Sequence, residues 1–128
     1  MKKTLILLVE DDDSISFNLI LMLELNGYDV LSAKNGKRAL EVLHYFPNRP
    51  NLILSDILMP EMDGYELLKE ISFNASWNMI PFIFLTAKAS PEEIRLGRLM
   101  GVDDYVTKPI DDELFLTLIK NKIHKVEK

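Results

Sequence analysis

The chain has 128 residues, 48% of them hydrophobic and 27% charged, with fifteen basic against twenty acidic side chains and a net charge of −5. That length suits one domain able to bury a real core, and the absence of cysteine excludes a disulfide framework, thiolate chemistry and Cys-ligated zinc. The acidic balance argues against direct nucleic-acid binding, which needs a basic patch, and no apolar run approaches the ~18 residues of a membrane span.

The start, Met1-Lys2-Lys3 followed by Leu5 to Val9, superficially resembles a signal peptide. The apolar run is short, however, and ends in Glu10-Asp11-Asp12-Asp13 with no small-residue cleavage site, so a buried strand is expected instead. No repeat or low-complexity linker divides the sequence. The expectation is a single domain over residues 1–128, with its core at about 4–125, in a cytoplasmic protein that makes no membrane contact.

Taken in order, the elements alternate. After the first strand, residues Ser14 to Leu25 carry apolar groups at Ile15, Leu19, Met22 and Leu23, and Asn26-Gly27 supplies a helix stop. A second strand covers Tyr28 to Ser32. Asn35 can cap a helix whose inner face is Ala39, Leu40, Leu43 and Phe46 and which must end before Pro47. Leu52 to Ser55 reads as a third strand, and Asp63 can cap a helix through Leu67, Leu68 and Ile71. Phe82 to Leu85 is the fourth strand. Ser90-Pro91-Glu92-Glu93 then gives a cap, a proline at the first helical position and acids at the positive dipole end. The apolar face of this fourth helix is thin (Ile94, Leu99, Met100), and Gly97 weakens it by roughly 1 kcal/mol against alanine. A fifth strand covers Asp104 to Val106. Asp111-Asp112-Glu113 opens a last helix, with Lys120, Lys122 and Lys125 near its end. That helix is unusually apolar: Leu114, Phe115, Leu116, Leu118, Ile119 and Ile123 cover more than one face, which means either extra core or an interface.

Strand alternating with helix five times predicts a doubly wound α/β domain with a parallel sheet. Its working site is expected beyond the carboxyl ends of the strands, where strand order reverses. Glu10, Asp11 and Asp12 stand at the first such end, Asp56 at the third, Thr86 at the fourth and Lys108-Pro109 beyond the fifth. Converging acids repel one another unless a cation gathers them; a solvated acidic run is the alternative. Oxygen ligands without His or Cys suit magnesium, which takes one or two carboxylates plus phosphate oxygens. An aspartate beside such an ion can act as nucleophile toward a phosphoryl group, with Thr86 and Lys108 receiving the charge it brings.

The segment Asp56-Ile-Leu-Met-Pro-Glu-Met-Asp-Gly64 resembles the phosphoacceptor loop of response-regulator receiver domains in two-component signalling. Leu8-Val9-Glu10-Asp11-Asp12 is similar to that family's acidic motif, Leu85-Thr86-Ala87 to its hydroxyl motif, and Gly101 to Pro109 to its final strand and lysine. Asn35-Gly36 before Ala39-Leu40 matches the start of its second helix. The resemblance runs from about Leu5 to Ile123.

It implies a flavodoxin-like (βα)5 fold with a five-stranded parallel sheet in the order 2-1-3-4-5. It implies that Asp56 accepts a phosphoryl group from a histidine kinase phosphohistidine, or from a phosphotransfer domain. Mg2+ (or Mn2+) would be held by Asp11, by Glu10 largely through water, by Asp56 and by the backbone carbonyl of Leu58. Asp12 is expected to be a loop or cap residue. Thr86 and Lys108 would contact the phosphoryl oxygens, Tyr105 would turn inward as Thr86 moves, and the bond to Pro109 would be cis. Output would pass through the fourth helix, fifth strand and fifth helix to an effector protein or an attached domain, with a homodimer through the same surface left open. Leu58 and Lys88 stand where the family tunes phosphoryl lifetime, and here they suggest slow to moderate self-dephosphorylation. The chain would be a signalling switch rather than an enzyme.

Three rivals fare worse. A haloacid-dehalogenase-type phosphohydrolase wants an Asp where Leu58 stands. A flavodoxin-like flavin carrier needs a hydroxyl- and Gly-rich loop where this chain has four acids. A degenerate receiver kept only for interactions would not need the intact acids, Thr86 and Lys108. His44 and His124 have no metal-type spacing and are expected at the surface.

Overall fold

Five strands form one sheet: β1 (Leu5–Val9), β2 (Asp29–Ala33), β3 (Leu52–Asp56), β4 (Phe82–Thr86) and β5 (Asp104–Thr107). This computed structural model describes residues 3–87 and 90–127, and the side chains of 3–87 and 90–124. Lys88, and the side chain of Lys125, therefore lie outside the described residues. The strand order is β2-β1-β3-β4-β5, with every neighbouring pair parallel, so the flavodoxin-like topology is the one observed.

The crossovers are α1 (Asp13–Leu25), α2 (Gly36–Tyr45), α3 (Gly64–Ser72) and α4 (Pro91–Leu99), and α5 (Asp112–Glu127) closes the fold. Strand side chains alternate between the two faces of the sheet. Leu7, Val9, Ile53, Phe82 and Phe84 pack with Ala39, Leu43, Leu67, Leu68 and Ile71 of α2 and α3. Ile6, Leu8, Leu52, Leu54, Ile83 and Leu85 pack with Leu19 and Leu23 of α1 and with Phe115, Ile119 and Ile123 of α5. This double burial explains why the three central strands read as unbroken apolar runs.

The helix starts follow the local signals. Asp12, Asn35, Asp63 and Ser90 each cap a helix, and the last two form reciprocal capping boxes with Glu66 and Glu93. Asp111 accepts a hydrogen bond from the Leu114 N–H at the head of α5.

Two expectations about faces need correction. Leu99 is not on the inner face of α4: it is 77% exposed, and Gly97 is the helix's one fully buried residue. Phe46 lies just beyond α2 as its C-cap and is exposed rather than inner. Helix α1 is apolar on its outer side as well, with Phe17 66% exposed and Leu21 and Leu25 also open to water. On α5, Phe115, Ile119 and Ile123 are core, Leu116 and Leu118 pack partly against it, and among its described apolar side chains only Leu114 points outward, 70% exposed. Most of that helix's apolar excess is therefore core. Both histidines are exposed. Among the described residues, no helix is long and apolar enough to cross a membrane.

Candidate functional site

The strand order reverses on either side of β1, where β1 feeds α1 on one face of the sheet and β3 feeds α3 on the other. A crevice opens there beyond the carboxyl ends of the strands. The four-acid run that follows β1 divides at this point. Glu10 is only 2% exposed; one of its oxygens accepts from the Asp12 N–H at 3.1 Å, and its own N–H donates to the Ala33 carbonyl at 3.0 Å. Asp11 stays at the mouth of the crevice, exposed. Asp12 turns away to cap α1, accepting from Ile15 N–H at 3.0 Å, and Asp13 pairs with Lys34 at the surface, 3.4 Å away. Four adjacent acids thus take four separate roles, and only the first two enter the site.

Asp56 ends β3, half-buried. Its Oδ1 accepts from the Ile57 N–H at 2.8 Å, which aims the other oxygen into the crevice toward Lys108. Lys108, just past β5, places Nζ 2.6 Å from Glu10 Oε1 and 3.2 Å from Asp56 Oδ2. Burial alone would lower the Lys108 pKa; the hydrogen bond and charge of Glu10 and the charge of Asp56 outweigh it, and the net shift is upward. The Lys108–Pro109 bond is cis. Thr86 ends β4 beside these groups, buried, and its carbonyl accepts the Lys108 N–H at 2.7 Å.

Carboxylate oxygens of Glu10, Asp11 and Asp56 lie within 4.8 Å of one another. Three formal negative charges against one ammonium leave a net of two. An all-oxygen donor set with that deficit fits a hard divalent cation of the magnesium type. Leu58 turns its side chain outward, 80% exposed, so it puts no proton-carrying group beside Asp56.

The loop after Asp56 is held by residues whose contribution the sequence did not disclose. The Gly64 N–H donates to the Ile57 carbonyl at 2.7 Å. A Cβ on Gly64 would collide with the Asp56 carbonyl oxygen and sit 2.9 Å from Phe84 Cε1. Only glycine lets α3 start this close to the end of β3. Glu61 takes a positive φ of 66°, a conformation that costs a non-glycine residue roughly 1 kcal/mol. Its carboxylate compensates by accepting from Asn35 Nδ2 at 3.0 Å, while Asn35 Oδ1 caps α2. The Gly36 N–H adds a bond to the Met62 carbonyl at 3.1 Å, so the loops after β2 and β3 are tied together beside the crevice. Asp63 and Asn35 were visible as helix caps, but nothing local said that the loops they end would meet.

Tyr105 on β5 does not reach the acids. Its ring is half-buried beneath α4, with its centroid 5.5 Å from that of Phe84, and its hydroxyl donates to the Glu93 carbonyl at 2.7 Å.

The family model described as the response regulator receiver domain matches residues 6–120. Over 114 residues the chain is 33% identical to the protein PilH of Pseudomonas aeruginosa, covering 89% of this chain and 93% of that one. Over 97 residues it is 43% identical to a probable cyclic di-GMP phosphodiesterase of Vibrio cholerae; that match covers 76% of this chain but spans only 21% of the relative's length. Among solved structures it resembles the signal receiver domain of a signal transduction histidine kinase from Syntrophus aciditrophicus. The TM-score there is 0.89 at 35% identity, covering 98% of this chain and 93% of the other.

Proposed function

The chain belongs to the response regulator receiver family, and from that premise we propose that it switches by taking a phosphoryl group onto Asp56. Receiver domains work with histidine kinases and output domains, and this one is read as accepting its phosphoryl group from a phosphohistidine. In the transfer, an Asp56 carboxylate oxygen forms the bond to phosphorus as the phosphorus–nitrogen bond to imidazole breaks, giving an acyl phosphate. The observation that carries this reading is the convergence of Glu10, Asp11 and Asp56, with Lys108 Nζ 3.2 Å from the Asp56 carboxylate.

Each residue has a part. Glu10, Asp11, Asp56 and the Leu58 carbonyl would hold Mg2+ or Mn2+, which when bound neutralises charge on the phosphoryl oxygens. Lys108 supplies a second positive centre that can leave Glu10 for the incoming oxygens. Thr86 offers a hydroxyl to the same group, from a strand end next to the nucleophile. Ile57 N–H and the Gly64 turn keep Asp56 aimed, so that positioning and charge stabilisation do the work. The resulting charge change would bias α4, β5 and α5 toward a partner or an attached domain. The phosphodiesterase in the Vibrio relative's name is said of that longer protein. For this chain the reading is a cytoplasmic signalling switch that catalyses its own phosphorylation and slow dephosphorylation.

The test is direct. Incubation with Mg2+ and acetyl phosphate or phosphoramidate should add ~80 Da to the intact protein, and Asp56→Asn should gain nothing. An equal gain in both would place the phosphate elsewhere.

A further inference from the structure

The chain passing from β2 into α2 carries none of the groups proposed to hold the cation, yet it grips both loops that do. At the end of β2 the Ala33 carbonyl accepts from the Glu10 N–H at 3.0 Å. Two residues on, Asn35 Nδ2 donates to Glu61 Oε2 at 3.0 Å, and the Gly36 N–H donates to the Met62 carbonyl at 3.1 Å. Asn35 is only 5% exposed and uses both ends of its amide, because Oδ1 accepts from the Arg38 N–H at 2.9 Å to cap α2. The fit is close: a Cβ on Gly36 would stand 2.7 Å from Met62 Cγ and 3.0 Å from the Met62 carbonyl oxygen.

Glu61 lies beyond Leu58 in the loop that joins Asp56 to Gly64, at a left-handed φ of 66°. A non-glycine residue keeps such a conformation only where its surroundings hold it there. Asn35 supplies that hold, from a helix whose own start it fixes. We propose that Asn35 is a positioning residue for the cation site. Through Glu61 it keeps the loop in the arrangement in which the Leu58 carbonyl joins Glu10, Asp11 and Asp56 as a ligand. This role rests on the reading of those four groups as the cation site. A main-chain ligand has no rotamer of its own, so its place is set by the loop and by whatever braces the loop. Without the brace the loop spends part of its time in other arrangements, and only the fraction in the ligating one binds.

The experiment is a Mn2+ titration of the full chain without phosphoryl donor, read by electron paramagnetic resonance of the free ion. Asn35→Asp keeps the capping oxygen but sets a carboxylate against Glu61. Its added negative charge alone would tighten cation binding, whereas loss of the brace should raise the Mn2+ Kd about tenfold. Asn35→Asp combined with Glu61→Gln rebuilds the bond with donor and acceptor exchanged, at the parent's net charge, and should bring the affinity back. Ile123→Val trims the core at the amino ends of β3 and β4, where Ile123 lines a pocket with Pro50 and Pro81. It should lower the urea midpoint and leave the Kd unchanged, which separates positioning from general stability. An Asn35→Asp Kd no weaker than the parent's overturns the proposal, and so does a double variant that stays weak. Should Asn35→Asp fold poorly, Glu61→Gly breaks the same bond, spares the cap and suits the positive φ. It should bind Mn2+ more weakly than Glu61→Gln, which has the same charge and keeps the acceptor; equal affinities would overturn the proposal. A parent with no Mn2+ binding that Asp56→Asn weakens would sink the cation reading and this role with it; where that binding is present, the Asn35 variants judge the brace alone.

Discussion

Lys108→Met tests the electrostatics on which the site depends. Lys108 Nζ bridges Glu10 at 2.6 Å and Asp56 at 3.2 Å, with side chains only 15%, 1% and 15% exposed for Lys108, Glu10 and Asp56. Methionine keeps much of the apolar stem but leaves the Glu10 carboxylate beside two others, with the Asp12 N–H still donating to it. Removing one side of a buried pair costs about 3–5 kcal/mol. Asp11 is exposed at the mouth of this crevice, so water screens part of the charge, and the lower end, about 3 kcal/mol, is expected. For a chain of this size that is a fall of roughly 12 °C in Tm, at roughly 4 °C per kcal/mol. The measurement is thermal or urea unfolding in chelated buffer, repeated across a Mg2+ titration. A divalent ion at a hundred times its Kd stabilises by about 2.7 kcal/mol. The gain should be larger in the variant, where no ammonium competes for Glu10. A variant within about 0.5 kcal/mol of the parent in chelator would refute the view that this ammonium allows the three carboxylates to lie together.

Gly64→Ala forces a Cβ onto the Asp56 carbonyl; it should cost at least the ~1–3 kcal/mol of overpacking and slow phosphorylation by acetyl phosphate, and normal rates at normal stability would count against the close approach. Asp63→Ala, which removes half of a capping box, should lower stability by about 1 kcal/mol in urea while leaving the mass gain intact. Burial, with the Tyr65 hydroxyl beside it, pushes the Tyr105 pKa up to about 12 from 10.0. A raised folded-state pKa means that this contribution is whole below pH 10 and is lost as pH rises toward 12. Alkaline unfolding should therefore be shallower in Tyr105→Phe than in the parent over that window, and identical slopes would remove the hydroxyl from the account. Leu58→Asn, which replaces an outward-turned apolar side chain two residues from Asp56 with an amide that can hold water, should shorten the acyl-phosphate lifetime severalfold; a parent half-life of seconds in Mg2+ would sink the expectation of slow turnover.

Much of this molecule is legible in one dimension. The unbroken apolar runs Leu5–Val9, Leu52–Ser55 and Phe82–Leu85 could only be strands covered on both faces, and Ser90-Pro91 or Asp63-Gly64 could hardly be anything but helix starts. Those signals are local, because capping and strand burial depend on residues within a turn or two. With the acids, Thr86 and Lys108 falling at successive strand ends, they were enough to indicate the fold and to name the candidate site. Tertiary structure decided whatever depends on which surfaces meet. It split four identical-looking acids into a buried partner for Lys108, an exposed carboxylate, a helix cap and a surface ion pair. It turned Leu99 outward, absorbed most of α5 into the core and tied Glu61 to Asn35 across 26 residues of chain. Gly97 shows the difference most clearly. Within its helix it reads as a weak residue, and only the arrival of Tyr105 from another strand shows that the missing side chain makes room for a hydroxyl.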